Sequence, residues 1–208
     1  MLLSNKLSKD QKRNVLVVYP GRFHPFHKGH KAVFDRLCKQ YGKDQVFIAT
    51  SNKTEPVKSP FSFSDKMQFM ALSGVDQDRI VETTQPYRAP ELVSKYDAKT
   101  TQLILVVSQK DMNEDARFAS WTKKDGNPTY FQPMPSDPDE MSMLEHHGYI
   151  LTVPTTEFSV LGKPMVSATE VRDKFARANL KTQKAIIKDL FGNYNDTVLQ
   201  TMQIKLTG

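Results

Sequence analysis

The chain has 208 residues, enough for one domain with a sizeable core, and a single cysteine, Cys38, which excludes an internal disulfide and fits a reducing, cytoplasmic setting. Charged residues make up 25% of it and the net charge is +6, which favours anionic partners without distinguishing a nucleotide from nucleic acid or an acidic membrane surface; the scatter of the cations among Asp and Glu argues against nucleic acid. No stretch of about 18 apolar residues exists to span a membrane, and Met1-Leu2-Leu3-Ser4-Asn5-Lys6 lacks the apolar core of a signal sequence.

Residues 1–13 are polar and expected to fray. Residues 15–19 (Val-Leu-Val-Val-Tyr) read as a buried strand. A turn rich in Gly, Pro and His follows. Residues 31–40 then carry a helical period, with Val33, Phe34 and Leu37 on one face, Cys38 beside them as an inert thiol, and Gly42 as the stop. A second strand is expected at 45–50. After a loop with two prolines, Ser62-Phe63-Ser64-Asp65 has the form of a capping box opening a helix through Leu72, ended by Gly74. A third strand is expected at 79–84 and a short helix at 90–96, started by Pro90. Residues 102–108 form the most apolar run of all, which puts this fourth strand at the sheet centre.

This alternation of strand and helix argues for a doubly wound parallel sheet with helices on both faces. Segment 109–148 breaks the rhythm with four prolines and no sustained period, as lids and surface excursions do. A fifth strand follows at 149–153. Three more helices are expected: from Ser167 to 178, at 182–191 before Gly192, and at 196–206. The expected layout is therefore a core of 14–108 and 149–180, an insertion at 109–148, and C-terminal helices at 181–208. Self-association into a homo-oligomer is left open by the sequence.

Two segments carry chemistry. The first is Gly21-Arg22-Phe23-His24-Pro25-Phe26-His27-Lys28-Gly29-His30, lying between a strand and a helix, where α/β proteins hold phosphates. Gly21 allows close backbone approach, and Gly29 removes a side chain beside His27 and His30. Pro25 bars a continuous helix, so the three histidines need not share a face. Imidazoles near a helix N-terminus can donate hydrogen bonds to phosphate oxygens as charge develops. Two competing readings are a metal site, which lacks a nearby Cys or acidic ligand before Asp35, and a structural role for one histidine, for which His24 is the choice. The second segment is Ser167-Ala168-Thr169-Glu170-Val171-Arg172. By itself it is a capped helix start; its free N–H groups, hydroxyls and guanidinium could also converge on a polyphosphate.

With these residues together, the chain resembles the HxGH nucleotidylyltransferases of the cytidylyltransferase-like superfamily, and within them the archaeal-type nicotinamide mononucleotide adenylyltransferases. Gly21 to His30 is similar to their first signature, and Ser167 to Arg172 to their second, with Ala168 in its variable small position. The resemblance implies a Rossmann-like fold of five parallel strands with a long insertion before the last. It implies transfer of AMP from ATP to a phosphorylated small-molecule acceptor, nicotinamide mononucleotide, to form NAD and pyrophosphate. Alternatives are a cytidylyltransferase, an adenylyltransferase acting on a flavin or pantetheine phosphate, or a non-catalytic nucleotide-binding module.

The resemblance implies catalytic roles for His27, His30 and Arg172. It implies nucleotide binding by Gly21, Arg22, Phe23, Gly29, Ser167 and Thr169, and Mg²⁺ arriving with the NTP. On the acceptor side, Lys66 stands where relatives carry an arginine, keeping the charge without the bidentate fork. Tyr87 and Arg88, after the third strand, are further acceptor contacts. Trp121, with Tyr130 and Phe131, would either stack on a flat ring or anchor the insertion to the sheet. The turn at 107–111 lacks the glycine that relatives have there. His146 and His147 read as surface residues.

Overall fold

The structure, a computed structural model, describes residues 14–114, 118, 120–165 and 167–207. The polar stretch 1–13 lies outside the described residues. Strands β1 (Asn14–Pro20), β2 (Val46–Thr50), β3 (Ile80–Glu82) and β4 (Thr101–Ser108) alternate with helices α1 (Lys28–Tyr41), α2 (Phe63–Leu72) and α3 (Pro90–Val93). Helix α4 (Gln109–Glu114), strand β5 (Phe131–Pro133), strand β6 (Gly148–Val153) and a hairpin of β7 (Phe158–Val160) and β8 (Lys163–Met165) follow. Helices α5 (Ala168–Ala176), α6 (Leu180–Phe191) and α7 (Asp196–Thr207) complete the described chain. None of these helices is long and apolar enough to cross a membrane.

Strands β1 to β6 form one parallel sheet in the order β3-β2-β1-β4-β6-β5. The five expected strands are all present and parallel, with β4 at the centre. The difference is at one edge, where the insertion contributes β5 as a sixth strand. Three residues are too few to show a period, so nothing in the sequence marks β5 as a strand. Its place depends on Gly148, the partner of both Phe131 and Leu103. A Cβ there would come within 2.7 Å of Phe131 Cε1 and 3.2 Å of Leu103 Cδ2. Gly148→Ala is therefore expected to cost about 1–3 kcal/mol through overpacking, read as a lower thermal midpoint; an unchanged midpoint would mean that β5 yields freely.

Strand alternation divides β1 between two cores. Val15, Val17 and Tyr19 meet Val33, Phe34 and Leu37 of α1 and Met70 of α2. Leu16 and Val18 meet the opposite cluster, closed by Leu92 of α3, Phe118 and Leu144, with Met112 of α4 and Trp121 packed against it. The irregular segment thus covers the face that α3, only four residues long, cannot cover alone. A third cluster joins Phe61 and Phe69 to Val160 of the hairpin and to Phe175, Ile186, Ile187 and Met202 of α5 to α7. Burying one such phenylalanine stabilises by roughly 1.5–3 kcal/mol. The C-terminal helices therefore pack on α2 and the hairpin.

Capping sets the helix starts. At α2, Ser62 Oγ accepts from Asp65 N–H at 3.2 Å and Asp65 Oδ2 accepts from Ser62 N–H at 2.8 Å, the expected reciprocal box. Helix α1 begins at Lys28, earlier than its apolar period, because His27 is its N-cap. An imidazole performs here the task usually given to Ser, Thr, Asp or Asn.

Candidate active site

From β1 the chain winds outward to β2 and β3, and from β4 outward the other way to β6, so the winding reverses between β1 and β4. Ligands of open α/β sheets bind at such a reversal, beyond the carboxyl ends of the strands. A cleft of about 340 Å³ lies there, floored by Tyr19, Pro20, Val106, Ser108 and Val153 from the ends of β1, β4 and β6. The N-terminal ends of α1 and α5 meet it through His27, Gly29, Ser167 and Ala168. The first backbone N–H groups of a helix have no partner within it, so both ends present donors and partial positive charge.

The histidine pair has a defined geometry. His30 N–H donates to His27 Nδ1 at 3.4 Å, and His27 N–H donates to His30 Nδ1 at 3.3 Å. The rings are stacked, with centroids 3.6 Å apart and 23° between planes. Burial holds both imidazoles below the usual histidine range, His30 at about 3, and His30 lowers His27 further. Both are therefore neutral near pH 7. With each Nδ1 accepting, the one proton of each ring sits on Nε2. No Nε2 partner exists among the described residues, and neither atom is sealed from the cleft. Two neutral imidazoles, each with an N–H donor not used among the described residues, thus line the cleft together.

Glycine and aromatic neighbours hold this arrangement. A Cβ at Gly29 would lie 3.1 Å from both Cε1 and Nδ1 of His27, so the missing side chain is what lets that ring fold over the helix end. At Gly21 the space belongs to Phe23, whose ring atoms come to within 2.5 Å of where a Cβ would be. Gly21 makes room for Phe23, and Phe23 in turn meets His30 edge-on at 5.0 Å and 84°. On the other side, Phe158 of the hairpin lies flat on His27, 3.9 Å away and 12° from parallel.

His24 turns away from the pair, as Pro25 before the helix allows. It is 5% exposed, its Nδ1 accepts from Phe61 N–H at 3.3 Å, and it is a structural histidine. The three histidines do not converge, and no group of three or more His, Cys, Asp or Glu among the described residues could hold a metal ion. Burial first, then Lys66, Arg172 and Arg22, push the His24 pKa down to about 3. The ordinary value of 6.5 holds once the chain unfolds. Its stabilising contribution is thus complete above pH 6.5 and is lost as pH falls from there towards 3. In His24→Asn, an amide oxygen can take the Phe61 bond and nothing titrates. The thermal midpoint of wild type relative to this variant is expected to fall as pH drops from 6.5 to 4; a constant difference would contradict a neutral, buried His24.

Several expected site residues lie elsewhere. Arg172, on α5, is 8% exposed and does not line the cleft; it donates to the His24 carbonyl at 2.7 Å and to Thr169 Oγ1 at 3.2 Å. Thr169 lies behind Ser167 and Ala168 and does not line the cleft either. Lys66 is fully buried, donating to Ser51 O at 2.6 Å and Thr50 Oγ1 at 3.4 Å. Burial lowers its pKa to about 8. It secures the end of β2 and, fully buried there, is not brought to the cleft where an acceptor phosphate was expected to meet it. Of the two readings of Trp121, the structure places it with the insertion. It packs on the second core and its carbonyl accepts from Thr129 N–H at 2.9 Å and Gln132 Nε2 at 3.0 Å, so it anchors the insertion. Arg88 is exposed away from the cleft. Gly21, Arg22, Phe23, His27, Gly29, His30, Ser167 and Tyr87 do line it.

Other contributors were not among the expected site residues. From the turn at 107–111, singled out only for lacking a glycine, Ser108, Lys110 and Asp111 line the cleft. Ser108 Oγ accepts from Asp111 N–H at 3.0 Å and shapes that turn instead. Thr155 and Thr156 come from the segment between β6 and β7, and Phe158 is the first residue of β7. Its only sequence sign is Leu161-Gly162, a two-residue hairpin turn in which both residues have positive φ, 53° and 76°.

Known proteins are similar to this chain in sequence and in fold. The chain is 33% identical over 60 residues to nicotinamide-nucleotide adenylyltransferase of Methanocorpusculum labreanum, covering 28% of this chain and 36% of the relative. It is 29% identical over 73 residues to the enzyme of the same name from Saccharolobus solfataricus, covering 33% and 42%. The chain thus spans less than half the length of these relatives. The crystal structure of a bifunctional NMN adenylyltransferase/ADP ribose pyrophosphatase from Francisella tularensis, complexed with AMP and a manganese ion, shares the fold. The TM-score is 0.50 and the identity 19%, over 94% of this chain and 50% of that one. The cytidylyltransferase-like family model matches residues 18–174. That match runs from within β1 to within α5 and takes in both helix ends that face the cleft, and the chain belongs to the cytidylyltransferase-like family.

Proposed function

We propose that this protein is a nucleotidylyltransferase that transfers AMP from ATP to nicotinamide mononucleotide, forming NAD and releasing pyrophosphate. The observation that carries the reading is the stacked His27–His30 pair lining the cleft, with both Nδ1 atoms occupied so that each ring's proton is left on Nε2. The names of the archaeal relatives support the choice of substrates.

In this reading the acceptor phosphate oxygen attacks the α-phosphorus of ATP, and the bond to the bridging oxygen breaks as pyrophosphate leaves. Negative charge builds on the phosphate oxygens. His27 and His30 donate to them through Nε2–H, and the N-terminal ends of α1 and α5 add backbone donors. Ser167 holds the β/γ end, with Arg22 and Lys110 as cleft-lining cations. Thr169 and Arg172 act from behind, through α5 and the His24 carbonyl. Gly21, Phe23 and Gly29 shape the wall against the nucleotide. Neither imidazole needs to change protonation state, so positioning and electrostatics supply the catalysis. Mg²⁺ enters as part of the ATP substrate, coordinated by its phosphates; Asp111 is the one cleft-lining carboxylate among the described residues. Tyr87 faces the acceptor. A cytoplasmic location accompanies this reading.

The test is pyrophosphate release with Mg²⁺ from ATP and from CTP, each against nicotinamide mononucleotide and other phosphorylated acceptors. NAD appearing in step with pyrophosphate is the expected result. Release with a different pair would keep nucleotidyl transfer and replace the substrates. ATP binding without release from any pair would leave a nucleotide-binding module.

A further inference from the structure

The His27 ring is not held by its own segment alone. The β7–β8 hairpin carries Phe158 onto it, and side chains of α5 and α6 grip that hairpin. Asp189, on α6, accepts from Lys28 Nζ at 3.0 Å through both carboxylate oxygens, and its Oδ2 also accepts from Leu161 N–H at 2.9 Å. Lys28 is the residue after His27 and the first of α1. Leu161 is the first residue of the hairpin turn. Lys174, on α5, donates to the Val160 carbonyl at 2.5 Å. One carboxylate therefore bridges the hairpin tip and the helix start, and a lysine fixes the strand between them. Phe158 is left with His27 beneath it and Gly29 beside it, where even a methyl group would lie 3.4 Å from its Cδ1.

We propose that Asp189 is a positioning residue for the histidine pair: it locks the hairpin to the start of α1 so that Phe158 presses His27 onto His30 and aims the His27 Nε2–H. The proposal rests on the transfer reading for its kinetic consequence, but the placement of the ring is measurable without it. The geometry also explains an otherwise idle arrangement. The Lys28–Asp189 pair is about one-third exposed, where an ion pair adds little stability, yet it spans the two segments whose relative position decides where His27 points.

The experiment is an NMR comparison of the His27 ring protons, assigned by their loss in His27→Gln, in wild type, Phe158→Ala, Phe158→Tyr, Asp189→Asn and Asp189→Ala. Steady-state kinetics run alongside. A ring sandwiched between two others is shielded, so Phe158→Ala is expected to move the His27 signals downfield, and Phe158→Tyr, which restores a flat face, to return them. Asp189→Ala should move them part of the way, with Asp189→Asn closer to wild type because an amide oxygen can still accept from Leu161 N–H. Turnover should fall about 10- to 100-fold in Phe158→Ala and less in Asp189→Ala, with kcat changing more than KM for ATP. Unmoved His27 signals in Phe158→Ala, or in Asp189→Ala when only its thermal midpoint drops, would overturn the proposal. If the wild-type protein releases no pyrophosphate, the transfer reading fails separately. The NMR comparison still decides the placement: moved signals support it and unmoved signals overturn it.

Discussion

Replacing His30 with alanine is expected to lower kcat for pyrophosphate release by about 100- to 1,000-fold, the usual cost of removing a donor aimed at developing charge. The residue supplies two things at once. Its ring lines the cleft with the Nε2–H not used among the described residues, and its Nδ1 accepts the His27 N–H, helping to close the first turn of α1. Losing the second function should cost about 1 kcal/mol, as helix caps do, and lower the thermal midpoint by about 2–4 °C. His30→Asn separates the two. Its side-chain oxygen can stand in for Nδ1 but no donor reaches the position of Nε2. The asparagine variant should thus match alanine in lost turnover while keeping more of the stability. Turnover within threefold of wild type in His30→Ala would remove the histidine from the chemistry. The effect should not depend on protonating the pair, because burial holds both imidazoles neutral far below pH 7.

Arg172→Ala is expected to damage stability and nucleotide use together. The guanidinium is nearly buried and joins the His24 carbonyl to Thr169, so it ties the turn before His27 to the helix that begins at Ala168. Its removal leaves a buried carbonyl without its charged donor, at about 1–3 kcal/mol, and lets the two helix ends of the cleft drift relative to each other. Small displacements of positioned groups are costly to turnover, so kcat should fall and KM for ATP rise. Arg172→Lys keeps the charge but cannot reach both oxygens with one fork, and should fall between wild type and alanine. A direct phosphate contact, as the second signature suggests, predicts something else: a raised KM for ATP with the thermal midpoint unchanged. Measuring the midpoint and both kinetic constants on the same variants distinguishes a brace from a ligand contact.

The contrast between Arg172 and His30 shows what a motif does and does not convey. Both stand in recognisable signatures, yet one opens on the cleft and the other faces the wall behind it. Lys66 and Trp121 make the same point. Each has chemistry that suits an acceptor site, and each is turned inward, Lys66 to the end of β2 and Trp121 to the second core. Sequence spacing places a residue on an element. It does not say which side of that element meets the cavity once neighbouring elements are packed. Conversely, Phe158 and Asp189 belong to no motif. Phe158 reaches His27, and Asp189 reaches its neighbour Lys28, only because a hairpin and a C-terminal helix fold back onto the start of α1, in the second case across 161 residues of chain.

Local rules carried far along this chain. The apolar runs, capping residues and Gly–Pro punctuation determined five parallel strands, the helices between them and the strand–turn–helix unit that holds the histidines, since each depends on periods and caps within a few residues. The structural role of His24 was also readable, because Pro25 separates it from the helix that carries the other two histidines; the insertion read as a lid or surface excursion, and its packing on the second core appears only in the fold. Only the tertiary structure decided that β5 joins the sheet edge, that His27 and His30 stack with both Nε2–H groups free, and which cations face the cleft. Those outcomes are set by packing between segments far apart in sequence, where the burial of one side chain is determined by the shape of another, and no local pattern records that.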